Sequence, residues 1–476
     1  MKKRNVNIWP LVSSKLLNTV IETGIQWVNI PTIAELLTIL VFTGRDAVDC
    51  TKHLQLLLSQ ELPKDKDMIA LLLWSLYMGN PKAHSTATIQ ESILLLCNGT
   101  NTPYDSILLD IIKRIEAQRN VSWTSNVFTW TFRAPSAASN MDEYELSPLF
   151  TSTKEGVEVT LDVQTIRNSV RSYNPEAIFE LPYADNIDQM TVTNILTAIE
   201  EYQKVFIGAN NCYNMEFLLM AMVNIPDIFR DNGSVDLKLF VETWGLSFVI
   251  CCLSSRYSDV SQAIINAVMN DNETTYKERE SVRLLLGRLK YSLTVNGQPI
   301  PNCFCIIMAM LLPVVTNPGH FMFTRTIKFL LSAPELNYHY IPMFKSISEA
   351  SEEAGKQISW FMDLLTCSLA TRADVMLMVR RKVFEWAMNM SLVLPNCGHR
   401  NLLRKAQEIP GGAYSLVTRN GTISFTEAEL SEAKKSQNLD VSKLGLRFLF
   451  ANEREKLEKW VDNDMGGIVR RLNPTV

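Results

Sequence analysis

The 476-residue sequence lacks the short motifs that mark most enzymes and nucleotide-binding proteins. It contains no phosphate-binding loop GxxxxGK[ST], no Rossmann glycine fingerprint, no zinc-binding HExxH and no nucleophile elbow GxSxG. Only five histidines occur, and none stands at a recognisable metal-ligand or catalytic spacing. These absences argue against an enzyme, so we assign no catalytic residue, no metal ligand and no cofactor.

The sequence also lacks a global excess of charge. Lys and Arg together number 46 and Asp and Glu 50, which gives a net charge of −4. Binding to a polyanion such as nucleic acid must therefore come from local patches. Glycine and proline are ordinary at 19 each, which excludes collagen-like and low-complexity chains, and 47% hydrophobic residues suffice for a sizeable core.

Long apolar segments are missing as well. The longest apolar run, 303–315, contains Pro313 and is too short to span a bilayer, so we expect no membrane insertion. The basic N-terminus is not followed by a continuous apolar segment of the kind a secretory signal needs. The nine cysteines are odd in number, and several, such as Cys251 and Cys252, sit in apolar runs. We interpret them as small buried hydrophobes in a reducing compartment.

Helical periodicity dominates what is present. In the run 105–114 and just beyond, Leu108, Ile111, Ile112 and Ile115 fall on one helical face. Apolar residues alternate instead over 128–132 and 157–163, which predicts a small β-hairpin around a long polar loop.

The turn-forming segment 296–301 predicts a boundary between two helical lobes. We therefore expect a mainly α fold with two helical lobes, a β-hairpin in the N-terminal lobe and extended terminal arms. The predicted domains are an N-terminal arm at 1–30, an N-terminal helical lobe at 31–297, a C-terminal helical lobe at 298–430 and a C-terminal arm at 431–476.

The strongest candidate for a polyanion site is a helix predicted from Thr275, as N-cap of a capping box with Glu278, through Lys290. One face of this helix is aliphatic. The other face carries three cations and an aromatic ring and is called the stripe from here on: Tyr276, Arg279, Arg283 and Lys290. Arginine forks bind phosphate oxygens and a tyrosine can stack on a base, so this face predicts RNA binding. A solvated or salt-bridged helix face explains the same pattern.

Two weaker basic clusters accompany this stripe. The region 372–405 is rich in cations, and we single out Arg380, Arg381, Arg400 and Arg404. A further pair, Arg167 and Arg171, is spaced four residues apart on a predicted helix. All are candidate RNA contacts, and ordinary surface charge remains the alternative for each.

With patches on both sides of the predicted boundary, the layout resembles a nucleoprotein of a negative-strand RNA virus, from a divergent branch. The resemblance covers the architecture of nearly the whole chain and involves no alignable motif. It implies two lobes that clamp single-stranded genomic RNA in a groove, and self-assembly into rings or filaments through terminal arms. It further implies a viral polymerase and phosphoprotein as partners, and a location in the virion and host cytoplasm or nucleus.

Two other hypotheses remain open from the sequence. The first is an RNA-free viral shell or a helical protein–protein scaffold, for which oligomers without nucleic acid are expected. The second is an enzyme whose motif is not visible.

Overall fold

The computed structural model describes residues 13–405 with gaps at 64–65, 125–160, 185–190, 207, 226–227, 231–233, 272–275, 294–299, 333–339, 346, 348–353, 385, 388–400 and 403–404. The chain divides into two compact units. Unit A comprises the described residues within Met1–Ile166 and Ala177–Asp227, and unit B those within Arg167–Glu176 and Ile228–Val476. The predicted boundary near residue 298 falls inside unit B.

The first helices of the chain build unit A. They are α1 (Ser14–Ile25), α2 (Pro31–Thr43), α3 (Cys50–Leu58), α4 (Asp67–Gly79), α5 (Pro81–His84), α6 (Ala87–Leu96), α7 (Pro103–Arg119), α9 (Val192–Val205) and α10 (Met215–Val223). Helix α8 (Val163–Arg171) begins among residues of unit A and ends among residues of unit B.

Helix α4 forms the core of unit A, because its residues 69–77 are buried on all sides. It packs against α2, α3 and α7. The Trp74 indole N–H donates to the Asp110 carboxylate at 2.6 Å, and the Arg114 Nε donates to the same oxygen at 2.7 Å. The predicted apolar face of α7 is confirmed, since Leu108 and Ile112 are fully buried.

Unit B contains α11 (Leu237–Glu242), α12 (Gly245–Cys252), α13 (Ser258–Asn270), α14 (Arg279–Leu293), α15 (Asn302–Val315), α16 (Phe323–Ser332), α17 (Ala354–Ser368) and α18 (Arg372–Arg380). Helix α15 is its core, buried on nearly every side and packed against α12, α14, α16, α17 and α18. The apolar run that was too short for a membrane is thus the central helix of this unit.

A buried carboxylate joins two helix starts in unit B. Thr371 and Asp374 form a reciprocal capping pair at the start of α18, with the Thr371 N–H donating to Asp374 at 2.8 Å. The same carboxylate accepts the Cys303 N–H at 2.7 Å, in the first turn of α15. Burial raises the pKa of Asp374, and these hydrogen bonds oppose that rise.

The mainly α class is confirmed, and β pairing among the described residues amounts to isolated bridges such as Thr100 with Tyr213. The predicted β-hairpin has no support: its segments 128–132 and 157–160 lie outside the described residues, and Val163 starts a helix. A helix starts here because Asp162 caps it: the Asp162 carboxylate accepts hydrogen bonds from the N–H groups of Gln164 and Thr165, at 3.2 and 2.8 Å.

The expected terminal arms need a similar revision. Residues 14–25 form helix α1, which buries Leu17, Ile21 and Ile25 and packs against α2 and α3. The i, i+4, i+8 spacing of those three residues explains why this segment folds onto unit A. Residues 1–12 and the predicted C-terminal arm at 431–476 lie outside the described residues.

The eight described cysteines form no disulfide. Cys251 and Cys252 are fully buried, and burial raises the pKa of both thiols. Their interpretation as small buried hydrophobes is confirmed, and both are thereby chemically inert.

Candidate nucleic-acid interface

Helix α14 carries the predicted stripe, but it begins at Arg279, three residues later than the capping-box pattern suggested. Thr275 lies outside the described residues. The aliphatic face is confirmed, because Val282, Leu285 and Leu289 are fully buried. The helical periodicity therefore predicted the buried face of α14 correctly, whereas the capping-box pattern misplaced the first residue of the helix.

Two stripe arginines bind the end of a neighbouring helix. The Arg283 guanidinium donates to the carbonyl oxygens of Asp271 and Met269, at 3.0 and 3.2 Å. The Arg279 guanidinium donates to the same Asp271 carbonyl. Helix α13 ends at Asn270, where carbonyl groups lack helical partners and the helix dipole is negative, so cations are stabilising there.

Arg288 has the same role at another helix, which the sequence pattern did not reveal. Its Nε donates to the Leu330 carbonyl at 2.7 Å, in the last turn of α16. Three arginines of α14 thus bind main-chain carbonyls at helix ends, and the exposed Lys290 completes the stripe. RNA binding by Arg279, Arg283 and Lys290 stays a prediction.

Tyr276 lines a polar cleft of ≈ 610 Å³ in unit B. Burial raises the pKa of its hydroxyl, and a hydrogen bond with Thr316 opposes that rise. Both cations and acids line the cleft, and Arg230 is paired to Asp236 at 3.1 Å. The other charged residues of the lining are Lys238, Glu242, Asp271, Lys277 and Glu278. This mixture gives the cleft no single electrostatic sign.

Arg167 and Arg171 are exposed on α8 and have neighbours within unit B. The guanidinium of Arg167 lies 5.2 Å from the ring centroid of Trp244, a cation–π arrangement. Arg171 lies near Asp363 of α17 and lowers the pKa of that carboxyl, against a larger rise from burial. Both arginines therefore have intramolecular contacts in addition to their predicted RNA contact.

The basic cluster of the region 372–405 includes a contact that the sequence did not suggest. Arg381 stacks on Tyr340, with 4.1 Å between guanidinium and ring centroid, and the Lys345 ammonium lies 5.8 Å from the same centroid. Tyr340 is 46% exposed, and Arg380, the residue before Arg381, is exposed as well. Arg400 and Arg404 lie outside the described residues.

Two further findings concern other kinds of site. Within the part of the chain that the structure describes, no group of three or more His, Cys, Asp or Glu side chains is arranged to hold a metal ion. No helix in that part is both long enough and apolar enough to cross a membrane.

Helical units with cationic and aromatic surface groups occur in many unrelated proteins, so the relatives of this chain have to be found by sequence comparison. A family profile described as nucleolar pre-ribosomal-associated protein 1 matches residues 246–425, within unit B. The chain is 21% identical to nucleolar pre-ribosomal-associated protein 1 of Saccharomyces cerevisiae, over an alignment 562 positions long. That alignment covers 96% of this chain and 32% of the yeast protein, so the chain spans about a third of its relative's length. No solved structure matches.

The resemblance to a viral nucleoprotein is therefore wrong, because the detectable similarity is to a eukaryotic nucleolar protein. The functions inferred from it, encapsidation of genomic RNA and the alternative shell or scaffold, are not supported. Assembly into rings or filaments, viral polymerase and phosphoprotein partners, and a virion location are withdrawn with them. The resemblance depended on helical content, size and basic patches, which unrelated helical proteins share.

Proposed function

We propose that this chain acts in ribosome biogenesis, by associating with pre-ribosomal particles in the nucleolus. The observation that carries this proposal is the similarity to yeast nucleolar pre-ribosomal-associated protein 1 along 96% of the chain. The profile match over 246–425 agrees with it and points to unit B.

The proposed role is binding rather than catalysis. The chain lacks the usual catalytic motifs. The most strongly shifted pKa values belong to buried thiols and phenols such as Cys251 and Tyr173, whose packing inside unit B accounts for the shifts.

Exposed cations of unit B are the proposed contacts with ribosomal RNA. Lys290 and Arg380 are exposed, and Arg381 and Lys345 gather around the half-exposed Tyr340. Such groups bind backbone phosphates without reading sequence, and the resulting affinity falls steeply with salt.

Gradient sedimentation of a nuclear extract tests the association. The full chain, tagged and expressed at its native level, should co-sediment with particles that contain rRNA precursors, and ribonuclease should shift it to lighter fractions. Recovery only at the top of the gradient, with the tag outside the nucleolus, would overturn the proposal.

A charge-reversal pair tests the proposed contacts. The double variant Lys290→Glu/Arg380→Glu should retain its helical circular dichroism and leave the particles at lower salt than the wild type. Lys82→Glu/Lys204→Glu, which reverses two exposed cations of α5 and α9 in unit A, is the matched control and should behave as wild type. Equal salt sensitivity of both variants would show that Lys290 and Arg380 do not contact the ribosomal RNA.

A further inference from the structure

Three aromatic rings form a cluster at the surface of unit B. The rings of His320 and Phe321 are stacked, with centroids 4.5 Å apart and planes at 23°. Trp360 of α17 meets both nearly edge-on, at 5.9 Å from His320 and 6.5 Å from Phe321. Phe321 is 36% exposed, and His320 and Trp360 are half-buried. We name this group the aromatic platform.

Burial in the core of the unit is incomplete at the platform. Helix α17 already buries Phe361, which is fully buried and packs with Phe344 and Trp386. Trp360 is adjacent to Phe361 in sequence and is only half-buried. A tryptophan that stays partly exposed forgoes part of the burial energy that large rings contribute to a core.

The platform is held in place by the turn between α15 and α16. The His320 N–H donates to the Asn317 carbonyl at 2.9 Å, and the Phe323 N–H donates to the His320 carbonyl at 2.8 Å. The Met322 N–H donates to Nδ1 of the His320 ring at 3.1 Å, so the proton of the neutral ring resides on Nε2. Burial lowers the pKa of His320, which favours the neutral ring. A preorganised surface of this kind loses little conformational entropy on binding.

Each of the two helices that adjoin the platform carries an exposed lysine. Lys356 precedes Trp360 by four residues on α17, a spacing that places the two side chains on one helix face. Lys328 lies in α16, which begins two residues after Phe321. Both lysines are exposed.

We propose that the aromatic platform stacks on unpaired bases of RNA, while Lys356 and Lys328 bind the adjacent phosphates. Flat neutral rings provide a surface for any base, and nearby ammonium groups suit the backbone that links successive bases. Duplex RNA keeps its bases stacked inside the helix and offers no free face to these rings. The identity of the RNA as pre-ribosomal depends on the proposed function, whereas the stacking itself does not.

Fluorescence of 2-aminopurine in an unstructured oligoribonucleotide tests the stacking with the full chain. Binding should quench the fluorescence, and a duplex of the same sequence should bind at least about 10-fold more weakly. Trp360→Ala and Phe321→Leu should each weaken single-strand binding by about 10-fold, within the range expected for loss of one stacked base. Phe321→Leu keeps the apolar bulk of the side chain and protects the test against misfolding.

Leu331→Ala is the matched control, because Leu331 is 62% exposed on α16 and carries no ring. It should bind the oligonucleotide as the wild type does. Equal binding of single strand and duplex, or ring variants within twofold of wild type, would overturn the proposal. If the wild-type chain sediments with pre-ribosomal particles but does not quench the probe, the stacking is wrong and the proposed function stands. A wild type that quenches the probe yet fails to sediment with particles supports the stacking and overturns the proposed function.

Discussion

Arg283 and Asp271 are joined by a hydrogen bond of 3.0 Å from the guanidinium to the main-chain carbonyl. This contact gives the cationic face of α14 a structural task, because Asp271 directly follows the last residue of α13. Arg279 donates to the same carbonyl. A face that the sequence assigned to phosphate therefore stabilises a helix end.

Replacing Arg283 should destabilise the fold. Arg283→Ala removes two charge-assisted hydrogen bonds, and we expect the free energy of unfolding to fall by about 1.5–3 kcal/mol. Lys290→Ala, on the same helix but exposed, should change it by less than about 0.5 kcal/mol. Urea unfolding followed by circular dichroism measures both, and equal stability of the two variants would exclude the capping role of Arg283.

Alanine substitutions at two glycines of unit A distinguish the cost of steric overlap from the cost of backbone strain. Gly99 has φ +71°, and a Cβ there would lie 2.3 Å from the Phe217 ring. Gly208 has φ +88° with no atom near the added Cβ. Gly208→Ala should cost about 1 kcal/mol from the left-handed backbone alone, and Gly99→Ala about 2 kcal/mol more. Thermal unfolding of both variants checks the order, and a Gly208→Ala cost equal to that of Gly99→Ala would contradict it.

The stability of α1 should depend on pH through His53. Its Nε2 donates to the Asn18 side-chain oxygen at 2.8 Å, and its buried Nδ1 has no hydrogen-bond partner among the described residues. Burial lowers the pKa of His53 below 6.5. Nearby Asp49 opposes this shift by raising the pKa, and Lys52 adds to it by lowering the pKa. Below about pH 6.5 the unfolded state therefore binds more protons than the folded state. The free energy of unfolding decreases as the pH falls from about 6.5 to the pKa of His53 in the folded state.

Amide exchange of α1 and α3, corrected for the intrinsic rate, measures this effect. Protection should decrease between about pH 7.5 and pH 5.5 in the wild type and change little in His53→Gln. The same decrease in both proteins would assign the pH dependence to another group.

Asp374 should be one of the positions of unit B that tolerate substitution least. Asp374→Ala leaves the N–H groups of Cys303 and Thr371 without their buried acceptor, and we expect a loss of about 3 kcal/mol or more. Asp363→Ala, at the surface of α17, removes a carboxyl that has Arg171 as its charged neighbour, and it should change the stability by less than about 1 kcal/mol. Chemical unfolding of the two variants compares them, and similar losses would show that the buried carboxylate is not a shared cap.

The helices could be predicted well from the sequence, whereas the segments that pack against each helix could not. Periodicity placed Val282, Leu285 and Leu289 on the buried face of α14, because burial follows the helical repeat. It did not reveal that Arg283 would meet Asp271, since a helical wheel does not show which neighbouring segment faces each side chain. Short-range spacing likewise misplaced the start of α14, because a capping-box pattern also occurs outside helix starts.

Contacts between distant segments lay beyond any local pattern. Tyr340 and Arg381 are separated by about forty residues, as are Phe321 and Trp360, so neither aromatic cluster leaves a motif in the sequence. The viral resemblance failed for a related reason. It compared composition and layout, which many helical proteins share, whereas alignment of residues identified a nucleolar relative.

Enrichment of rRNA precursors with the purified chain tests the proposed association with pre-ribosomal particles most directly. The tagged full chain is recovered from nuclear extract, and transcribed spacer sequences are quantified relative to mature rRNA in the bound RNA and in the input. We predict that the spacer-to-mature ratio is at least several-fold higher in the bound fraction. A ratio equal to that of the input would contradict an association with pre-ribosomal particles.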